Sequence, residues 1–352
     1  MMLPPSFITD LLQSFLLSQR HSRGGFPPVP RDAASFEKDR WPDVCTRQEY
    51  CAAAASVRSM LFAGRDDGSL PGDAAYGLSI RETARKLYEE WTDSPRTVTF
   101  STSGSTGVPK RCTHTLSDLM QEAEYLAPFF KDIRACISTV PAHHLFGFTF
   151  GLFLPHFAGF PITRVPPLPA AALANAAPGS AVIGIPFFWN AVCRTMRASP
   201  EGVLAVTGTA PAGRELLDAI AASFSLIDIF GSSETGVLGL RTHPGDPYTL
   251  TAYFEKATDG SLLRHRKNAD GQVSGASHPS AHHPEKAASL LYTECEKTHV
   301  IAEDDLFWTD DRHFLPLGRK DKCVQVAGVN VHPALVAEKI RAMEEVRDCA
   351  VR

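Results

Sequence analysis

The amino-acid sequence predicts an α/β fold of mostly parallel sheets with crossover helices, joined to a smaller β-rich subdomain. Three observations carry this. Between residues 97 and 230, short β-like apolar runs alternate with helix-like segments, the pattern of strands whose crossovers cover a parallel sheet. From about residue 247 the texture changes to shorter strands and turns. Between helical patterns and that alternation, Thr97-Val98-Thr99-Phe100 reads as a strand that opens directly into a turn of glycines and hydroxyl residues, 101–110.

The elements follow in order. Phe7, Leu11, Leu12, Phe15 and Leu16 recur at helical spacing within Met1–Arg20, which predicts a docking helix. That stretch has no basic leader, continuous apolar run or small-residue cleavage site, so it does not read as a signal peptide. Residues 21–45 are rich in Pro, Arg and Asp and read as an irregular connection. Helical patterns occupy about 47–63 and 79–92. After the first strand come a helix at 116–129, a strand at 134–140, an apolar helix at 147–158 and a strand at 181–185. A helix at 187–197, a strand at 203–207, a helix at 213–223 and a strand at 226–230 complete the alternation. The later strands are Tyr248–Phe254, Leu262–Arg266, Ser289–Thr293 and pieces from Phe307 to Val331, with a polar loop at 267–287. No internal repeat is evident.

Bulk composition narrows the classes. The 352 residues suffice for a large core or about two domains, and a net charge of −4 gives no reason to expect nucleic acid or an anionic membrane as partner. No apolar stretch is long enough to span a bilayer. Cysteines at 45, 51, 112, 136, 193, 295, 323 and 349 form no C-x-x-C pair and read as reduced thiols, so the expectation is a soluble, cytoplasmic protein. His278, His282 and His283 lack a Cys or carboxylate at ligand spacing and read as solvated loop histidines.

Three clusters carry chemistry. In Ser101-Thr102-Ser103-Gly104-Ser105-Thr106-Gly107-Val108-Pro109-Lys110 the glycines let the backbone approach a polyphosphate, the hydroxyls donate and Lys110 adds a point charge. The run is not the P-loop pattern, because Pro109 follows Gly104 at the wrong spacing and Arg111 follows Lys110. Phe230-Gly231-Ser232-Ser233-Glu234-Thr235 stands where a strand ends; its carboxylate beside hydroxyls suits a Mg²⁺ ion on phosphate oxygens, or equally a helix N-cap. Thr309-Asp310-Asp311, then Gly318-Arg319-Lys320-Asp321, could bind ribose hydroxyls; alone they would be a turn and a surface charge pair.

Taken in order, these segments resemble the adenylate-forming superfamily of acyl- and aryl-CoA synthetases, luciferases and nonribosomal adenylation domains, from about Thr97 to Ile340. Pro141-Ala-His143-His144-Leu-Phe146-Gly147 is similar to its P-x-x-H-x-x-G segment, and Gly208-Thr209-Ala210-Pro211 to its G-x-A-P. Phe230–Thr235 resembles Y-G-x-T-E, Asp311 falls at the Asp of T-G-D with Asp310 for the glycine, Gly318–Asp321 fits G-R-x-D, and Gly328–Pro333 is close to the G-V-N-V-F-P of phenylacetate-CoA ligases. The resemblance implies the large-domain fold of these enzymes and activation of a carboxylic acid by ATP. It implies that Thr102, Ser103, Gly104, Ser105, Thr106, Gly107 and Lys110 hold the β- and γ-phosphates and that Glu234 holds Mg²⁺. It places adenine between Gly208–Ala210 and Phe230, with Gly231, Ser232 and Ser233 alongside, and the ribose on Asp311 and Arg319. Lys110, Thr106, Glu234 and His144 take the catalytic roles. The acceptor is CoA or a carrier-protein phosphopantetheine, and an acyl or aryl carrier protein is a partner to be expected.

Between Pro141 and Pro155 there is no Asp or Glu to pair a substrate ammonium, which favours an apolar or aromatic acid. Phe146, Phe148, Phe187, Phe188 and Trp189 are candidates for its pocket or for the core, and His144 and Gly231 border it. The expected organisation is a large domain at 1–317, with its β-rich subdomain at about 247–317, then a hinge and C-terminal remnant at 318–352. No late G-K-x-x-R-like lysine segment follows, so two classes remain: an acid-activating enzyme, or a nucleotide- and acid-binding homologue that works with a partner. A serine hydrolase built on Ser103 or Ser233 is excluded by the lack of a G-x-S-x-G elbow.

Overall fold

In the computed structural model, residues 3–22, 39–63, 76–93, 96–102, 110–174, 176–196, 199–266, 296–302, 304–320, 324–326, 329–331, 333–343 and 346 are described. The expected strand Ser289–Thr293 and the histidines at 278, 282 and 283 lie outside them. Strands β1 (Thr97–Thr102) and β2 (Lys110–Thr115) form an antiparallel hairpin. There follow β3 (Ala135–Ser138), β4 (Ile162–Arg164), β5 (Ser180–Ile183), β6 (Leu204–Thr207), β7 (Ser225–Ser232) and β8 (Gly236–Arg241). Then come β9 (Tyr248–Leu250), β10 (Phe254–Lys256), β11 (Leu262–Arg266), β12 (Glu296–Val300), β13 (Asp304–Trp308) and β14 (His313–Arg319), with the small pair β15 (Val324–Val326) and β16 (Val329–Val331).

One nine-stranded sheet, ordered β13-β14-β9-β8-β7-β6-β5-β3-β4, organises the chain. From β4 to β7 it is parallel, and from β7 to β13 antiparallel. The parallel half matches its sequence: Ser180–Ile183 and Leu204–Thr207 are unbroken small and apolar runs, buried at every position, because crossover helices cover both faces. Side-chain alternation then builds two cores. Ile183 and Val206 join one with the N-terminal helices; Val182 and Ala205 join the other with Phe188, Trp189 and Leu217.

The β-rich segment differs from its expectation. Among the described residues, β10, β11 and β12 make a separate small sheet, while β9, β13 and β14 extend the main one. Gly318, expected to open the hinge, lies inside β14, so the sheet continues through Arg319. Tyr248–Phe254, read as one strand, is broken by a turn in which Phe254 N–H donates to Thr251 O, leaving β9 and β10 in different sheets. Sequence periodicity did not announce β2, whose Lys-Arg-Cys-Thr-His-Thr run lacks an apolar face, or β8, which carries two glycines; both are held by long ladders to a neighbour. Among the described residues no helix is long and apolar enough to cross a membrane.

The N-terminal helix Ser6–Ser22 is buried at every residue from Phe7 to Ser14. It lies against helices Arg47–Leu61 and Ile80–Thr92. Each of these begins with a capping box, Thr46 with Glu49 and Ser79 with Glu82, in which side chains satisfy backbone N–H groups that the first turn leaves free. Asp10 is a charge inside this core. It accepts a hydrogen bond from His156 Nε2 at 2.8 Å and pairs with Arg164, whose other nitrogen donates to Gly151 O at 3.1 Å. Burial alone would raise the Asp10 carboxyl, but Arg164 and His156 outweigh it and hold it below its ordinary 3.8. That stabilisation is present above pH 3.8 and lost as pH falls through the lowered value. Asp10→Ala, which strands the buried Arg164 guanidinium, is expected to cost about 3–5 kcal/mol in urea unfolding at pH 7.

Candidate functional site

The C-terminal ends of the parallel strands collect most of the residues singled out in the sequence. Pro141–Gly147 follows β3, Phe187 follows β5, Gly208–Ala210 follows β6, and Phe230–Ser232 ends β7. In an open α/β sheet this edge forms the ligand crevice. The β1–β2 hairpin closes on it: Thr102 pairs with Lys110 as the last rung, and the tip between them carries Ser103, Gly104, Ser105, Thr106 and Gly107, which lie outside the described residues.

Lys110 Nζ stands 2.8 Å from Glu234 Oε1, joining two motifs far apart in the chain. Burial pushes the Glu234 carboxyl up, yet hydrogen bonding to Lys110 and Ser232 overcomes it and holds the group below the usual carboxylate value. Glu234 is 19% exposed and Lys110 46%, so the pair opens to solvent on the lysine side. No helix follows Glu234. Its residue sits in the tight turn between β7 and β8, where Thr235 Oγ1 accepts from Ser232 N–H at 3.0 Å.

A buried polar cage fixes that turn. His114 Nε2 lies 2.7 Å from Ser233 O; a carbonyl only accepts, so Nε2 carries the proton. Burial keeps the His114 imidazole below its ordinary value, hence neutral. Glu122, on helix Leu116–Leu126, accepts from Val237 N–H at 2.9 Å and Thr149 Oγ1 at 3.0 Å. Arg264 on β11 donates to Thr235 O at 3.2 Å and to Asp118 O at 3.0 Å. Tyr253 donates to Val237 O at 2.7 Å. Gly236, at φ +74°, has no room for a side chain, since a Cβ would run into Glu122. His114, Glu122, Arg264 and Tyr253 are functional supports that the sequence did not single out; only the fold brings them under one turn.

On the opposite wall, Gly147 lies on the Pro141 carbonyl so closely that no Cβ fits, which gives the P-x-x-H-x-x-G spacing its physical reason. A Cβ on Gly208 would come 2.9 Å from Phe146 Cε2, so these two motifs touch. Thr209 holds φ +75°, strained for a β-branched residue by about 1–3 kcal/mol. Its Oγ1 is buried with no hydrogen-bond partner. His144 is exposed at the start of helix Leu145–Phe148, its ring 4.5 Å from that of His143 and tilted 44° to it. Among the five aromatic candidates, Phe148, Phe188 and Trp189 are core residues; Phe146 is half-buried and Phe187 is 69% exposed. Phe230 is half-buried against Tyr248 and Phe314, 5.4 and 5.5 Å away.

Asp311 and Arg319 are not brought together. Thr309–Arg312 is the tight turn of the β13–β14 hairpin, tied by Asp310, which accepts from Arg312 and His313 N–H groups. Asp311 is fully exposed there, its nearest charge Lys256 at 3.9 Å. Arg319 stands at the far end of β14, six residues beyond His313 or about 20 Å at strand rise. Directly opposite Arg319 in the ladder is Asp304. Recognising Thr309–Arg312 as a hairpin turn would set residue 304 against 318, and a register shift at Asp305–Leu306 moves it to 319. Among the described residues no group of three His, Cys, Asp or Glu side chains could hold a metal by themselves.

Two outcomes test this geometry. Glu122→Ala leaves Val237 N–H and Thr149 without their buried acceptor and should destabilise the fold by roughly 3 kcal/mol in chemical denaturation. Because the Glu234 carboxyl is lowered from 4.5, its pairing with Lys110 persists above that pH and is lost as pH falls through the lowered value. The protection factors of the 232–236 amides, measured against intrinsic exchange at each pH, should therefore be high at neutral pH and fall only once pH drops below the ordinary carboxylate value.

Comparison with known proteins identifies the family. The family model described as AMP-binding enzyme matches residues 45–293. A 4-coumarate–CoA ligase of Halorhodospira halophila is 32% identical over 257 residues, covering 72% of this chain and 59% of the relative, and a benzoate–CoA ligase of Thauera aromatica is 26% identical over 276 residues, covering 71% and 51%. The chain thus spans between half and three fifths of the length of these relatives. In fold it is similar to the o-succinylbenzoate CoA synthetase of Bacillus subtilis, with a TM-score of 0.54 at 14% identity over 76% of this chain and 62% of that one. With its family match running through the hairpin, the β6 end and the Glu234 turn, the chain belongs to the AMP-binding enzyme family.

Proposed function

We propose that this protein activates an aromatic carboxylic acid with ATP, forming an acyl-adenylate and pyrophosphate, and passes the acyl group to the thiol of CoA. The observation that carries the reading is the Lys110–Glu234 pair at the crevice: a cation and an anion, one solvent-open, poised for a ligand bearing both phosphate and a divalent ion. The names of the relatives, ligases of 4-coumarate and benzoate to CoA, support the acid class and the acceptor.

In this reading the triphosphate lies along Thr102–Lys110, and Lys110 leaves Glu234 for phosphate oxygens. Glu234, beside the Ser232 and Thr235 hydroxyls, offers the hard oxygen donors that suit Mg²⁺, which would neutralise charge building on the departing pyrophosphate. Adenine lies along Gly208–Ala210 and Phe230, where the orphan Thr209 hydroxyl gains a partner and the strain at that residue has a purpose. Asp304 with Arg319, rather than Asp311, is the pair suited to the ribose hydroxyls. The substrate carboxylate attacks the α-phosphorus in line; its P–O bond forms as the bond to the pyrophosphate oxygen breaks. The CoA thiolate then attacks the acyl carbon and AMP leaves. No protein nucleophile is needed, so positioning and charge neutralisation carry the rate. His144, Phe146 and Phe187 form the wall for the acid, and the lack of any carboxylate between Pro141 and Pro155 leaves nothing to pair a substrate ammonium.

Acid-dependent pyrophosphate release across aryl, fatty and amino acids tests the reading. Release is expected with 4-coumarate or benzoate and not with amino acids; ATP binding with no release from any acid would overturn it in favour of a non-catalytic homologue. Glu234→Ala should abolish Mg²⁺-dependent release, and Lys110→Ala should lower kcat/KM for ATP by about 100-fold. Asp304→Ala should raise the KM for ATP about tenfold while Asp311→Ala leaves it unchanged; the reverse pattern would return the ribose to Asp311.

A further inference from the structure

Helix Ser6–Ser22 precedes the family match, yet its polar side chains are aimed at the acid wall. Docking by the hydrophobic effect requires only Phe7, Leu11, Leu12 and Leu16, all buried. Burying Asp10 and Ser14 as well is unfavourable unless each finds a partner, and both partners belong to one segment. Ser14 Oγ accepts the Ala142 N–H at 2.8 Å, just before the histidine pair. Phe15 stacks on His143 at 4.7 Å with the rings 19° apart, and His143 in turn lies 4.5 Å from His144. At the other end, Asp10 holds His156 directly and Gly151 through Arg164. Gly151 and His156 sit on the continuous helical run Leu145–Ala158 that begins after His144 and carries Phe146. That run contains a π-turn at Thr149–Phe153, an irregularity that needs outside support.

We propose that Phe15 and Ser14 are positioning residues for the acid-binding wall: the N-terminal helix holds His143, and through it His144, so that this helix sets the affinity for the carboxylic acid. The inference rests on the reading above that His144 and Phe146 face the acid. Its chemical consequence is an uncharged wall. His143 Nδ1 is buried with no hydrogen-bond partner, and burial together with the facing His144 pushes its imidazole to about 3. His144, its imidazole also held below the ordinary value, is the titratable neighbour acting on it among the described residues. A neutral imidazole pair accepts an aromatic ring without a desolvated cation beside it.

The test uses the full chain carrying Phe15→Ala, Phe15→Tyr or Ser14→Ala, with the His143 Cε1–H resonance followed against pH and the KM values for acid and ATP measured by pyrophosphate release. In the parent protein the His143 resonance should stay flat from pH 8 to about 4. In Phe15→Ala, water reaches the ring and the resonance should titrate near the ordinary value of about 6.5. The KM for the acid should rise about tenfold and the KM for ATP by less than about twofold, and Phe15→Tyr, which keeps the stacked ring, should restore both. A flat resonance and unchanged acid KM in a folded Phe15→Ala protein would overturn the proposal. So would a parallel rise in both KM values, which marks general loosening. If Phe15→Ala does not fold, Phe15→Leu keeps the packing volume and removes only the stacking ring, and the same readouts apply. If no acid supports pyrophosphate release in the parent protein, the functional reading fails; the His143 titration, with benzoate binding followed by ligand-observed NMR, then decides the positioning role separately.

Discussion

Glu234 has a fixed position only because the turn that carries it is gripped from beneath by side chains of other elements. The β7–β8 ladder shifts register at Phe230–Gly231 and ends at Ser232–Gly236, and the turn beyond it has no sheet partners for its backbone groups. Each such group must be satisfied inside the protein, since it lies on buried structure. His114 from β2, Glu122 from helix Leu116–Leu126, and Arg264 with Tyr253 from the β-rich side supply the partners. A charged cage of this kind gains little in stability over an apolar one, because desolvation offsets the attraction. What it gives is a single geometry.

The same contacts tie the phosphate hairpin to the sheet. His114 lies on β2 four residues beyond Lys110, so the strand that delivers the lysine also anchors the turn that delivers the carboxylate. The Lys110–Glu234 pair is therefore the meeting of two ends of one braced unit. The opposite wall follows the same logic with different chemistry. There the brace is the N-terminal helix, with Asp10, Ser14 and Phe15 reaching both ends of the segment from Ala142 to His156. Between the two braced walls run the ends of β6 and β7, with a strained threonine and a glycine against Phe146.

Much of this was legible in the chain. The unbroken apolar runs at 180–183 and 204–207, the alternation with helices, and the hairpin-tip glycines announced the sheet and its ligand edge. The aromatic candidates divided according to a property no motif records: Phe148, Phe188 and Trp189 turn into the core while Phe187 turns out. Motif spacing singled out Thr309–Asp311, which the fold makes a hairpin turn, and it is Asp304 rather than Asp311 that lies opposite Arg319 in the ladder.

By itself the sequence determined the parallel half of the sheet and the family, and it singled out Lys110 and Glu234, which the fold brings together, because periodicity and motif spacing are local and survive in one dimension. Tertiary structure alone decided which antiparallel strands extend the main sheet, which aromatic rings stay exposed, and which buried residues hold the Glu234 turn. The reason is physical: these outcomes depend on pairings across long stretches of chain, such as Glu122 with Val237 and Asp10 with Arg164, where each partner looks ordinary in its own neighbourhood and acquires meaning only when the other is brought beside it.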